Sequence, residues 1–370
     1  MSSRVARILP ARRTAGVRRP GGGRRRVGLA GRVTLPVALM GVGALALAGC
    51  SGGSGHEDDG VLTVVTSTSV YADVVEQIVN DADSAGGEGI TVKAVIDSPA
   101  QDPHSYEATP QDRLTVQDAD LIVLNGGGYD AFMEELAAET DVPVVNAVDV
   151  SGLDGADSAD SDHDHSHDAS GAATAADDDS GQDSHDGHDH GSFNEHVWYD
   201  PATMGKVGEA VAHELGSMDA NRAQLFTDNA GEFTRETDQL RQQVAELKLE
   251  GDYVATEPVA DYLLEAAGLH NVTPTAFTVA VEDGTDAAPL VYDQVRSLLE
   301  SDTALLVYNE QTSTGQSQDL RTVAERADVP VLAVSETLPD GQSYVQWMEQ
   351  NIQDVQSIEG LGHTTESHDH

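Results

Sequence analysis

Residues 61–80 read VLTVVTSTSVYADVVEQIVN, and the two halves follow different periods. The first, 61–68, is a continuous apolar and β-branched run with no polar alternation, as expected of a strand buried on both faces. The second, 70–80, carries its apolar residues at helical spacing. The pair therefore reads as a strand feeding a helix, and the same rhythm recurs downstream. Strands are predicted at 90–96, at 121–125 (LIVLN) and at 142–148, with helices at 110–118 and 132–140. Residues 61–150 are thus expected to form a parallel βα lobe with helices covering its sheet.

Residues 151–192 interrupt the rhythm, and 193–220 complete the first lobe. There NEHVWYDP (194–201) leads into a helix with Asp200 as N-cap and Pro201 at the first helical position. Residues 221–250 read as one helix of about 40 Å. Phe226, Phe233, Leu240 and Leu247 recur every seven positions, with Val244 on the same side. One strand of a coiled-coil dimer is an alternative, but a single short seam interrupted by Gly231 fits better as a spine within one molecule. A second series fills 251–358, with strands at 253–256, 275–279, 304–308 and 329–334. Its helices fall at 259–267, 290–300, 318–327 and 344–358, and 359–370 reads as a disordered tail. The expected fold is α/β, two parallel-sheet lobes joined by one long rigid helix. Its ligand site belongs in the cleft between the lobes, in loops beyond the carboxyl ends of strands.

The first 49 residues read as a signal peptide. Ten of the chain's 20 basic residues lie in 1–32, with no acid among them, and an apolar run ends at Leu47-Ala48-Gly49-Cys50. That ending resembles a bacterial lipobox, in which the cysteine becomes the acylated first residue. A transmembrane anchor is the alternative, but the run falls short of the roughly 20 residues needed to span a bilayer. Either reading puts the body outside the cytoplasm, and the lipobox puts it on the outer face of the bacterial membrane. Residues 50–60 then form a flexible tether. Cys50 is the only cysteine, which excludes disulfides, iron–sulfur clusters and zinc ribbons. Beyond the signal, ten basic residues face 64 acidic ones, which excludes nucleic acid as a partner.

Residues 162–190, DHDHSHDASGAATAADDDSGQDSHDGHDH, hold six of the 14 histidines: His163, His165, His167, His185, His188 and His190. With almost nothing to bury, this segment reads as disordered and weakly metal-attracting. An acidic solvated loop with incidental histidines is the bland alternative.

Four loop positions could hold a metal more firmly. His104 lies in DPHSYE (102–107), ahead of a helix that Thr109, Pro110 and Asp112 are placed to begin. A lone loop histidine is more often solvated. His196 in NEHVWYDP could equally be a satisfied core residue beside Trp198. Glu257 follows the strand YVAT and could serve only a helix N-terminus. Glu336 follows the strand VPVLAV, where a surface carboxylate is the default.

Taken together, the lipobox, DPHSYEATPQD, the His-rich insertion, EHVWYDP, the long helix, TEPVADYLLEAAGL and SETLPDGQSYVQW resemble the cluster A-I metal-binding lipoproteins. These are the solute-binding proteins that deliver zinc or manganese to ABC importers. The resemblance runs from Val61 to the C-terminal helix. It implies a monomeric carrier, not an enzyme, with His104 and His196 from one lobe and Glu257 and Glu336 from the other as ligands. It also implies a permease with its ATPase as partners and a lipid anchor on Cys50. Zn2+ is the expected cargo, on the strength of the His-rich insertion and of zinc's place above manganese in affinity order. Mn2+ is the alternative, because manganese-binding members usually carry glutamate where this chain has Glu257. Adhesion, a role ascribed to related lipoproteins, is a further alternative. His213 and His270 are weaker candidates for a third imidazole. No His-Glu-x-x-His helix, Gly-x-Ser-x-Gly elbow or nucleotide fingerprint is present.

Overall fold

The computed structural model describes residues 61–80, 89–156, 193–301 and 303–363. Cys50, the signal and tether readings, the six histidines of the acidic stretch and residues 364–370 lie outside the described residues.

Strand β1 (Leu62–Thr68) is buried from Val64 to Thr68 and leads into α1 (Ser69–Ile78). Helix α1 turns Val70, Tyr71, Val74, Val75 and Ile78 inward, at the spacing of one helical face. Then follow β2 (Ile90–Ile96), α2 (Pro110–Gln117), β3 (Leu121–Leu124), α3 (Ala131–Ala138), β4 (Val144–Asn146) and α4 (Ala147–Ser151). The four strands pair in parallel in the order β2-β1-β3-β4. The second lobe holds β5 (Leu249–Ala255), α7 (Asp261–Ala266), β6 (Leu269–Asn271), α8 (Thr275–Glu282) and α9 (Pro289–Leu299). It ends with β7 (Leu305–Asn309), α10 (Gly315–Arg326), β8 (Val331–Val334) and α11 (Tyr344–Gln356). Its parallel order, β6-β5-β7-β8, repeats that of the first sheet. In each sheet the chain starts on an inner strand and then builds outward to both sides. The loops after neighbouring inner strands therefore diverge and open a crevice beyond their carboxyl ends.

Between the sheets run α5 (Pro201–Met218) and α6 (Ala223–Leu247). Asp200 caps α5 by accepting from the amides of Ala202 (3.2 Å) and Thr203 (3.1 Å). Helix α6 buries Phe226, Ala230, Phe233, Thr237, Leu240 and Val244 and packs on α5 and α1 on one side, α7 and α11 on the other. One apolar core accordingly runs through both sheets and the spine. Polar ties reinforce it: the Tyr344 amide donates to Asp73 (2.8 Å) and its hydroxyl to the Trp198 carbonyl (2.8 Å). Among the described residues, no helix is long and apolar enough to cross a membrane.

The α5–α6 contact depends on small residues. A Cβ at Gly208 would stand 2.9 Å from Phe233 Cδ1, and one at Gly205 2.9 Å from Thr237 Oγ1. Helix propensity alone favours alanine over glycine by about 1 kcal/mol, whereas overpacking costs about 1–3 kcal/mol. Gly208→Ala is therefore expected to lower the free energy of unfolding by about 1 kcal/mol net. Gly231→Ala on α6, where a Cβ meets nothing within 4 Å, is expected to raise it by about 0.5–1 kcal/mol. Urea midpoints check the pair; shifts of the same sign would show that the helix contact is not limiting.

Four sequence readings need correction. Residues 275–279 are not a strand but the start of α8, in which Phe277, Thr278 and Val281 share one buried face. A short apolar run does not distinguish the two periods. The strand in this part of the chain is instead β6, three residues long, which pairs with β5 and carries the polar His270 and Asn271. Spine and strand boundaries shift as well, because Lys248 takes a left-handed conformation (φ 47°) and ends the helix at Leu247. Finally, 359–370 is not wholly an unstructured tail: Gly362–His363 forms β9, antiparallel to Leu249 and Glu250 on β5.

Candidate metal centre

Residues 194–201 do not run extended. His196 leads into a single 3-10 turn (Val197–Tyr199), which buries Val197, Trp198 and Tyr199 together. His196 itself is fully buried. Asn194 Oδ1 accepts from the His196 amide (3.1 Å) and lies 2.7 Å from its Nδ1, while Asn194 Nδ2 donates to the Pro258 carbonyl (2.9 Å). With Asn194 oriented as an acceptor, Nδ1 carries the proton and Nε2 presents its lone pair. Nε2 has no hydrogen-bond partner. Burial, and then the neighbouring His104, hold the imidazole well below the ordinary histidine pKa, so it is neutral and able to ligate.

His104 comes from the loop after β2. Its amide donates to Asp102 Oδ1 (3.0 Å), and the following helix opens with a capping box between Thr109 and Asp112. The ring stands edge-on to Tyr129 at 4.9 Å, and Tyr129 lies 4.5 Å from Trp198, so an aromatic wall holds both imidazoles. His104 Nε2 is 3.8 Å from Glu336 Oε2. The donor atoms of His104, His196 and Glu336 all lie within 4.8 Å of one another. Ligand bonds of about 2.1 Å put tetrahedral donors about 3.4 Å apart. Side-chain adjustments of under about 1 Å would thus close this group on an ion.

Glu257 is not in that group of three. It follows β5 and accepts from the Asn309 amide and the Thr312 hydroxyl. The same Asn309 Nδ2 donates to Glu336 Oε1 at 2.6 Å, so one amide links the two carboxylates. Gln311 holds the Glu336 loop from the other side. Its Oε1 accepts from the amides of Glu336 and Thr337, and its Nε2 donates to the Pro99 carbonyl of the first lobe (2.7 Å). Burial raises the Glu336 pKa to about 8, with the Glu257 charge adding to it, and raises Glu257 to about 7.

Two further carboxylates join from positions the sequence reading passed over. Glu195 is 6% exposed, and its Oε1 lies 4.0 Å from His104 Nδ1. Glu282, at the end of α8, brings a carboxylate oxygen within 4.8 Å of donors on Glu195 and His196. Burial raises Glu195 to about 7, and burial followed by the charges of Glu195, Glu257 and Glu336 raises Glu282 to about 9. His213 and His270 are exposed, and His270 stands beside Asp252 (3.6 Å), so neither supplies a third imidazole here. Two imidazoles facing several buried carboxylates suit a divalent cation, which neutralises charge that burial otherwise makes costly.

The family model for the periplasmic zinc-uptake complex component A matches residues 64–358. The manganese-binding lipoprotein MntA of Halalkalibacterium halodurans is 26% identical over 207 residues, which span 54% of this chain and 55% of that protein. The manganese ABC transporter substrate-binding lipoprotein PsaA of Streptococcus pneumoniae serotype 4 is 24% identical over 345 residues, covering 86% of this chain and 95% of that one. Among solved structures, the periplasmic zinc-binding protein TroA of Treponema pallidum superposes with a TM-score of 0.60 at 18% identity. That match covers 81% of this chain and 99% of TroA, and it shows a shared two-lobed fold.

Proposed function

The chain belongs to the periplasmic zinc-uptake complex component A family, and from that premise we propose that it captures a divalent cation between its lobes and delivers it to the permease and ATPase of an ABC importer. The observation carrying this reading is the convergence of His104, His196 and Glu336 donors within 4.8 Å of one another, with His196 and Glu336 buried. In this proposal those three residues ligate the ion, with Glu257 as the fourth. A carboxylate has about four lone-pair directions, so Glu257 can ligate while still accepting from Asn309 and Thr312. Such a crowded donor set leaves no open position for an activated water, which suits a carrier better than a hydrolase.

Zinc is the proposed cargo: two imidazoles favour it, and it ranks above manganese in affinity at mixed nitrogen and oxygen sites. Manganese is the second reading, favoured by the number of hard carboxylates around the imidazoles and by the names of MntA and PsaA. The six histidines between His163 and His190 would act as a weak reservoir that raises the local ion concentration. A lipid on Cys50 would hold the monomer at the membrane's outer face. Metal analysis of protein purified from metal-replete medium tests the cargo. The expected result, with residues 157–192 deleted, is one tightly held zinc per chain that excess manganese does not displace. Loss of all tightly held metal on that deletion would overturn the site. Replacement of zinc by manganese would select the second reading.

A further inference from the structure

Beside the metal centre lies a cavity of about 470 Å³, lined by Asp102, Glu282, Asp286, Gln311 and Thr312 among others. It touches the site at two points. Thr312 donates to Glu257, and Glu282 belongs both to the cavity wall and to the group with Glu195 and His196 whose donors lie within 4.8 Å of one another. Two buried atoms in that group lack hydrogen-bond partners, Glu282 Oε1 and the Nε2 of the fully buried His196. A buried carboxylate oxygen and a buried imidazole lone pair without a donor are each destabilised until something electropositive reaches them.

On the reading that this protein carries a divalent cation, we propose that Glu195, His196 and Glu282 form a transfer seat through which the ion passes from the cavity to its final ligands. His196 is common to both donor groups. The ion can therefore enter against Glu282, take the His196 and Glu195 donors, and then exchange these carboxylates for His104 and Glu336. One imidazole stays attached throughout, so the ion is never stripped of all protein ligands inside a low-dielectric interior, where that would be most costly. Glu195 is placed for the exchange, with Oε1 4.0 Å from His104 Nδ1 and the opposite ring nitrogen 3.8 Å from Glu336. Release to a permease would retrace the same steps. The acidic side chains of Asp102 and Asp286 on the cavity wall give the entrance the sign that concentrates cations.

The test is rapid mixing of the full, metal-stripped chain with zinc, followed through the fluorescence of Trp198, whose ring lies 5.2 Å from that of His196. Mixing the loaded protein with excess chelator gives the reverse rate. Glu282→Gln is expected to slow association and dissociation together, each by roughly tenfold, because a step on the path is crossed in both directions. Glu195→Gln should do the same, and circular dichroism melts report whether either variant is folded. Rates unchanged in both variants would overturn the seat. So would faster dissociation with unchanged association, which would make these residues fixed ligands. Failure of the unsubstituted protein to take up zinc would instead remove the carrier reading itself.

Discussion

Replacing His196 with alanine is expected to weaken zinc binding by two to three orders of magnitude. Zinc held by four protein ligands is bound by about 10–16 kcal/mol, or about 2.5–4 kcal/mol for each, and every 1.4 kcal/mol is about a decade. His196 should sit at the upper end of that range. It is fully buried, its tautomer is set by Asn194, and the residue belongs to both donor groups of the site. Glu257→Gln should cost less, roughly tenfold, because the amide retains a weak oxygen donor and Glu257 stands outside the group of three. Competition against a chelator of known affinity measures both. A His196→Ala protein within threefold of the parent, or a larger loss from Glu257→Gln, would contradict the assignment of His196 as the central ligand.

The fold was legible in the sequence wherever a run was long enough to declare its period. Buried strands such as LIVLN and the seven-residue spacing of α6 leave no competing pattern. Legibility failed at short elements. β6 and β9 have three and two residues, too few for alternation, and TAFTVAVE suits either period until its neighbours are known. The site shows the same division. His104 and Glu336 could be picked out because each follows a strand, where loops from different parts of the chain converge, and His196 because it stands in NEHVWYDP just ahead of a capped helix. Glu195 stands inside NEHVWYDP but carries no signal of its own there. In an extended chain it would point away from His196, whereas the 3-10 turn that follows lets both side chains reach the site. Glu282 was hidden by the same misreading that made α8 a strand. Asn309, which joins the two carboxylates, carries no signal of its own, because its role exists only in the folded geometry.

The pH dependence of stability should reverse the usual behaviour of a paired carboxylate. In the metal-stripped protein, burial raises Glu195 and Glu257 to about 7, Glu336 to about 8 and Glu282 to about 9. Unfolded glutamates titrate near 4.3, so between these limits the folded state binds more protons and loses stability as pH rises. His196 acts in the opposite sense. Its depressed pKa makes the folded state bind fewer protons, which costs stability only as pH falls below about 6.5. Above that pH the carboxylates act alone. From pH 6.5 to 8.5 the stripped protein is expected to lose on the order of 6 kcal/mol, a fall in melting temperature of roughly 12 °C or more. Saturating zinc should remove most of that slope, since the cation neutralises the charges whose crowding produces it. At a thousandfold excess over Kd it should also add about 4 kcal/mol. Glu336→Gln should flatten the stripped profile without zinc, by deleting one of the titrating groups. Calorimetry at pH 6.5, 7.5 and 8.5, with chelator and with zinc, checks all three. A stripped protein whose melting temperature is flat or rises across that window would mean that the buried carboxylates are compensated by something other than a cation.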